Sequence, residues 1–72
     1  MVRGTVARWD DDEGWGVLTS PELDGDVFAH FTHLQMEGFA SLEAGDEVEF
    51  GWRSPGQDGC AYSATYVVRV AK

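Results

Sequence analysis

The stretches Glu13-Gly14-Trp15-Gly16-Val17-Leu18 and Asp26-Val27-Phe28-Ala29-His30-Phe31 decide how this chain is read. Each looks like a β-strand that carries aromatic rings. Strand side chains alternate between faces. Phe28 and His30 therefore share one side, and Val27, Ala29 and Phe31 the other. Trp15 and Val17 likewise share a side, with Gly16 and Leu18 opposite. The Val27/Ala29 and Gly16/Leu18 sides suit a small, tight core. The other side is expected to bring Trp15, Phe28 and His30 together in water, where exposed flat rings have something to stack on them.

Outward from these blocks, strand signals recur at short intervals with turn chemistry between them, the pattern of an all-β barrel or sandwich. A first strand is expected near residues 2–9, then an acidic turn at 10–13 and a second strand near 14–20. Pro21 and Asp24-Gly25 break the chain before a third strand near 26–31. A short helical turn is expected at Thr32–Gln35, then a loop through Gly38-Phe39. A fourth strand begins at Ala44-Gly45, where Val48, Phe50 and Trp52 alternate with Glu47, Glu49 and Gly51. Ser54 to Gly59 is a loop, and the last strand runs near 60–70. Tyr62 and Tyr66 fall on one face of it. Five strands with an excursion between the third and fourth suit a small five-stranded antiparallel OB-fold barrel. Its strand glycines permit the bends that close so short a sheet.

At 72 residues the chain has room for one domain, expected to span residues 1–72, and 43% hydrophobic residues supply material for its core. Cys60 is the single cysteine, so no internal disulfide can staple the fold, which fits a reducing compartment. The opening Met1-Val2-Arg3-Gly4 has no apolar run behind it, and no stretch reaches transmembrane length. A cytoplasmic protein without membrane contact is expected. The charge is unusual for a binder of polyanions: five Lys+Arg against 13 Asp+Glu give a net charge of -8. The densest acidic run, Asp10 to Glu13, reads as a solvated turn. A metal site is disfavoured there because consecutive side chains diverge and calcium-loop spacing is absent.

The chain resembles a bacterial cold-shock domain over essentially its whole length. The resemblance rests on ordered stretches: Gly4-Thr5-Val6, Gly14-Trp15-Gly16-Val17-Leu18, Asp26 to Phe31, and Gly38 to Phe50. The first aromatic block is similar to the family's Lys-Gly-Phe-Gly-Phe-Ile motif and the second to its Val-Phe-Val-His-Phe motif. The resemblance implies an OB barrel that binds single-stranded RNA or DNA by base stacking, with no cofactor. It places Trp15, Phe28, His30 and Phe39 on the stacking platform, with Phe31 at its edge. Arg8 stands where the family has a stacking tryptophan, and its guanidinium can stack or pair with phosphate. Trp9 takes the neighbouring phenylalanine position and is partly core. Val17 removes one ring. Ala7 and Glu13 remove two basic positions, and Glu13 reverses the charge at the rim. Arg3 and Arg53 are the other suppliers of phosphate contacts.

Stacking contributes about 1–3 kcal/mol per base. Three or four platforms give about 4–8 kcal/mol, or roughly millimolar to micromolar binding. Weaker binding than is usual in the family is therefore expected, with a shallow salt dependence. A second reading makes the same aromatic patch a docking surface for a basic protein partner, with the acidic rim as complement. His33 reads as a surface residue, and Cys60 as a small strand residue. No nucleophile elbow, phosphate loop or metal-ligand motif is present, so no enzyme is expected. The sequence leaves open whether the protein is a monomer or a strand-swapped dimer.

Overall fold

The computed structural model describes residues 1–34 and 42–70. Its elements are β1 (Val2–Asp10), β2 (Trp15–Thr19), β3 (Val27–His30), a 3-10 turn (Phe31–His33), β4 (Glu47–Arg53) and β5 (Tyr62–Arg69). All five expected strands are present. The fourth starts later than expected because Ala44 and Gly45 form a turn, with Gly45 at φ 95°. The helical turn starts one residue earlier than expected. Gln35 and the Gly38-Phe39 loop lie outside the described residues.

The strands close into a barrel in the order β1-β2-β3-β5-β4. Four neighbouring pairs are antiparallel, but β3 and β5 are parallel. This corrects the expectation of a wholly antiparallel barrel. A closed ring with an odd number of strands cannot alternate direction all the way round, so one seam must be parallel.

Val6, Leu18, Val27, Ala29, Val48, Phe50, Ala64 and Val67 fill the interior from the strands. Leu34 and Leu42 add to this core from either end of the β3–β4 connection. The Val27/Ala29 and Leu18 sides thus face inward, as the alternation requires.

Two β-bulges interrupt that alternation. In β1, Val6 pairs with Leu18 but Arg8 pairs with Val17, leaving Ala7 as the extra residue. Strict alternation would put Arg8 on the inner side with Val6. The bulge instead turns Arg8 outward and brings Trp9 in against the core. In β5 the extra residue is Thr65, since Gly51 pairs with Tyr66 and Trp52 with Ala64. Tyr62 therefore packs on the core, while Tyr66 lies beside outward-facing Gly51. The expectation that the two tyrosines share a face is corrected for this reason. Trp52 is 40% exposed and meets Tyr62 edge-on at 4.9 Å.

Trp9 explains one glycine. A Cβ at Gly16 would run into the Arg8 carbonyl and sit 2.6 Å from the Trp9 ring. Among the described residues, no helix is long and apolar enough to cross a membrane.

Candidate nucleic-acid interface

The outer face of β1, β2 and β3 collects the residues that the two blocks single out. Across it, the pairing sets two rows. One is Asp10, Trp15 and His30. The other is Arg8, Val17, Phe28, Ser63 and Arg53, which crosses all five strands. Trp15 is half-buried. Its ring stacks on Phe28 with centroids 5.4 Å apart and planes at 26°. The Arg8 guanidinium lies 5.5 Å from the Trp15 centroid, at cation–π distance.

Phe28 corrects the expected exposure. It points away from the interior yet is only 5% exposed. Trp15 covers one side of it, and Val17 and Ser63 flank it across the strands. The Ser63 hydroxyl in turn donates to the Pro55 carbonyl of the β4–β5 loop, tying that loop down beside it. Phe28 is thus the backing of the platform, and Trp15 is its open face.

His30 ends β3 half-buried, directly across from Trp15. Alternation alone puts Phe31 on the side of Val27 and Ala29, whereas the family resemblance puts it at the edge of the platform. The strand ends before it, and the 3-10 turn carries it outward to 45% exposure, with its ring 4.5 Å from that of His30. It sits over Gly14. That glycine has φ 76°, and a Cβ there would lie 2.7 Å from the Phe31 ring. Gly14 also accepts the Phe31 N–H through its carbonyl at 2.8 Å.

The two histidines cap the 3-10 turn. His33 Nδ1 accepts the His30 N–H at 3.3 Å, and His30 Nδ1 accepts the Thr32 N–H at 3.4 Å. His33 is therefore half-buried and structural, not simply a surface residue. Burial pushes its pKa below the usual histidine value, and the neighbouring His30 and Arg53 push it further down.

Trp9 lies on the inner side, half-buried, with its Nε1 buried and unpartnered among the described residues. Its ring contributes to the wall of a groove of ≈ 380 Å³ that Arg8, Trp15 and the acidic turn also line. The Asp10 carboxylate organises that turn: its Oδ1 accepts the Asp12 N–H at 2.9 Å and the Glu13 N–H at 3.0 Å. Glu13 is exposed at the rim.

The cations divide into two kinds. Arg3 pairs with Glu49 at 3.9 Å and Arg69 with Asp46 at 3.3 Å. Arg8 and Arg53 form no salt bridge among the described residues, and both lie on the Phe28 row. Among the described residues, no group of three or more His, Cys, Asp or Glu side chains could hold a metal. Cys60 is half-buried in the β4–β5 loop. Burial pushes its thiol pKa up, Asp26 and Asp58 add to this, and Arg8 opposes it. Of the expected platform, Trp15, Phe28, His30, Phe31 and Arg8 come together, Trp9 lies beneath, and Phe39 falls outside the described residues.

The model of the 'Cold-shock' DNA-binding domain family matches residues 2–70. The chain belongs to the cold-shock domain family. It is 50% identical over 48 residues to a cold shock-like protein of Aquifex aeolicus, an overlap covering 67% of this chain and 69% of that protein. It is 48% identical over 52 residues to cold shock protein CspB of Geobacillus stearothermophilus, covering 69% and 74%. A cold shock-like protein of Thermotoga maritima is 45% identical over 49 residues, covering 68% and 73%. Nucleic-acid binding without catalysis is the function of cold-shock domains.

Proposed function

We propose that this cold-shock domain binds single-stranded RNA or DNA by stacking bases on Trp15 and on the His30–Phe31 pair. Phe28 backs the platform, and Arg8 supplies a cation beside it. One observation carries the reading: Trp15 is half-exposed, stacked on a buried ring, and has an unbridged guanidinium over it. Such an arrangement holds a flat surface open and offers it positive charge. Phe39 and the edge of Trp9 extend the platform in this proposal. Binding holds strands unpaired, because stacking on the protein competes with base pairing within the strand. That is the action of an RNA chaperone or a regulator of gene expression, here in the cytoplasm.

Affinity is lower than is usual for such domains. With Phe28 covered, the two open stacking positions give about 2–6 kcal/mol, which by itself reaches no further than about tens of micromolar. Titration of tryptophan fluorescence with a short pyrimidine-rich strand at low salt tests the proposal. Quenching is expected, and Trp15→Ala weakens binding by about 1–3 kcal/mol. Absence of any quenching or shift at near-millimolar strand defeats it.

The net charge of -8 favours one competing reading, an acidic interaction module that docks on a basic protein. Arg8→Glu separates the two. It abolishes strand binding, whereas docking on a basic partner survives or improves.

A further inference from the structure

The stacking account leaves one residue of the outer face unused. Asp10 is the direct cross-strand partner of Trp15. Residues paired in this way hold their Cβ atoms about 4.5–5.5 Å apart. Asp10 also lines the ≈ 380 Å³ groove, beside Arg8 and Trp15. Its two oxygens have different duties. Oδ1 is committed to the Asp12 and Glu13 N–H groups at 2.9 and 3.0 Å. Oδ2 has no partner among the described residues, and those two bonds fix its orientation.

We propose that Asp10 reads the edge of the base stacked on Trp15 and selects bases that present N–H donors there, guanine above all. This rests on the nucleic-acid reading given above. An ionised carboxylate only accepts hydrogen bonds. Guanine offers two adjacent donors, N1–H and the N2 amino group. Uracil and thymine offer one N–H between two carbonyl oxygens, and those oxygens face carboxylate oxygens with nothing to bridge them. Asp11 and Asp12 line the same groove, so apart from Arg8 a rotated pyrimidine meets further carboxylates there. Discrimination then comes from rejecting carbonyl edges as well as from binding amino edges. The platform accepts any base by its face, and Asp10 filters one position by its edge.

The test compares three short strands by tryptophan fluorescence at low salt in lithium buffer: thymidine alone, thymidine alternating with guanosine, and thymidine alternating with inosine, which lacks the N2 amino group. The guanosine strand should bind about tenfold tighter than thymidine alone, with the inosine strand between them. Asp10→Asn retains an oxygen for the turn N–H groups and turns the free oxygen into a donor. It should tighten binding of every strand by removing a charge, while the guanosine preference collapses towards one. Glu22→Gln removes the same charge from an exposed turn and should leave the preference intact. Equal binding of the thymidine and guanosine strands overturns the role of Asp10 while leaving the stacking reading in place. So does an undiminished preference in a folded Asp10→Asn variant. If that variant does not fold, the comparison of strands on the unaltered protein decides. Failure of every strand to bind overturns the stacking reading and this inference together.

Discussion

At the scale of single residues, charge and stacking pull against each other around Trp15. Arg8 lies over Trp15, and Glu13 stands exposed at the end of the neighbouring turn. Glu13→Lys should therefore tighten strand binding and steepen its salt dependence. Each phosphate newly neutralised adds about 0.7 to the slope of log affinity against log salt for a single strand. Unchanged binding after this substitution would show that the rim charge is not what limits affinity. His33 supplies a second residue-scale expectation. Its folded pKa is depressed, first by burial, so the unfolded chain takes up the proton first as the pH falls. The contribution is intact above the ordinary histidine value of about 6.5 and is lost as the pH falls through the lower folded value. Protonation also removes the acceptor for the His30 N–H. Denaturant midpoints should fall between neutral and mildly acidic pH, and the drop should shrink in His33→Gln.

At the scale of elements, the two bulges govern which side chains meet. The single extra residue Ala7 sends Arg8 out to Trp15 and Trp9 in against Gly16. Gly16→Ala should cost about 1–3 kcal/mol in chemical denaturation, because a methyl group there overpacks the Trp9 ring and the Arg8 carbonyl. Strand positions and most of the core were legible in the sequence, since alternation of Val27/Ala29 and Val48/Phe50 depends only on neighbouring residues. The bulges were not. An extra residue such as Ala7 or Thr65 leaves no mark in composition and shows only in what the partner strand pairs with, so simple alternation puts Tyr62 and Tyr66 on one face. The gathering of the aromatic blocks' rings on one outer face was legible, but the covering of Phe28 was not. Phe28 is covered because Trp15 stacks on it and Ser63, thirty-five positions later in the chain, arrives beside it.

At the scale of the whole molecule, the excess of carboxylates matters for stability as well as for binding. The radius of gyration is 10.6 Å. The longest extent is 30 Å, and at about 0.01 M salt the Debye length is about 30 Å, so like charges repel across the entire barrel. Raising the salt to physiological strength should stabilise the fold by about 1 kcal/mol, or about 4–8 °C in Tm, while it weakens strand binding. Thermal melts and titrations along one salt series would show the two trends running in opposite directions. A rise in both would refute the electrostatic account.

The parallel seam bears on how the protein is made. Between β3 and β5 only Val27 with Tyr62 and Phe28 with Ser63 are in register, and β5 is the last strand in the described chain. Until that strand leaves the ribosome, β3 has a partner on one side only. Its other edge is then a row of open amides and carbonyls, with Phe28 uncovered on that side. β4 is open along its β5 edge for the same interval, so one of the two edges exposed to a stray strand belongs to the strand that carries Phe28 and His30. The same strand whose arrival completes the cover of Phe28 also ends that hazard.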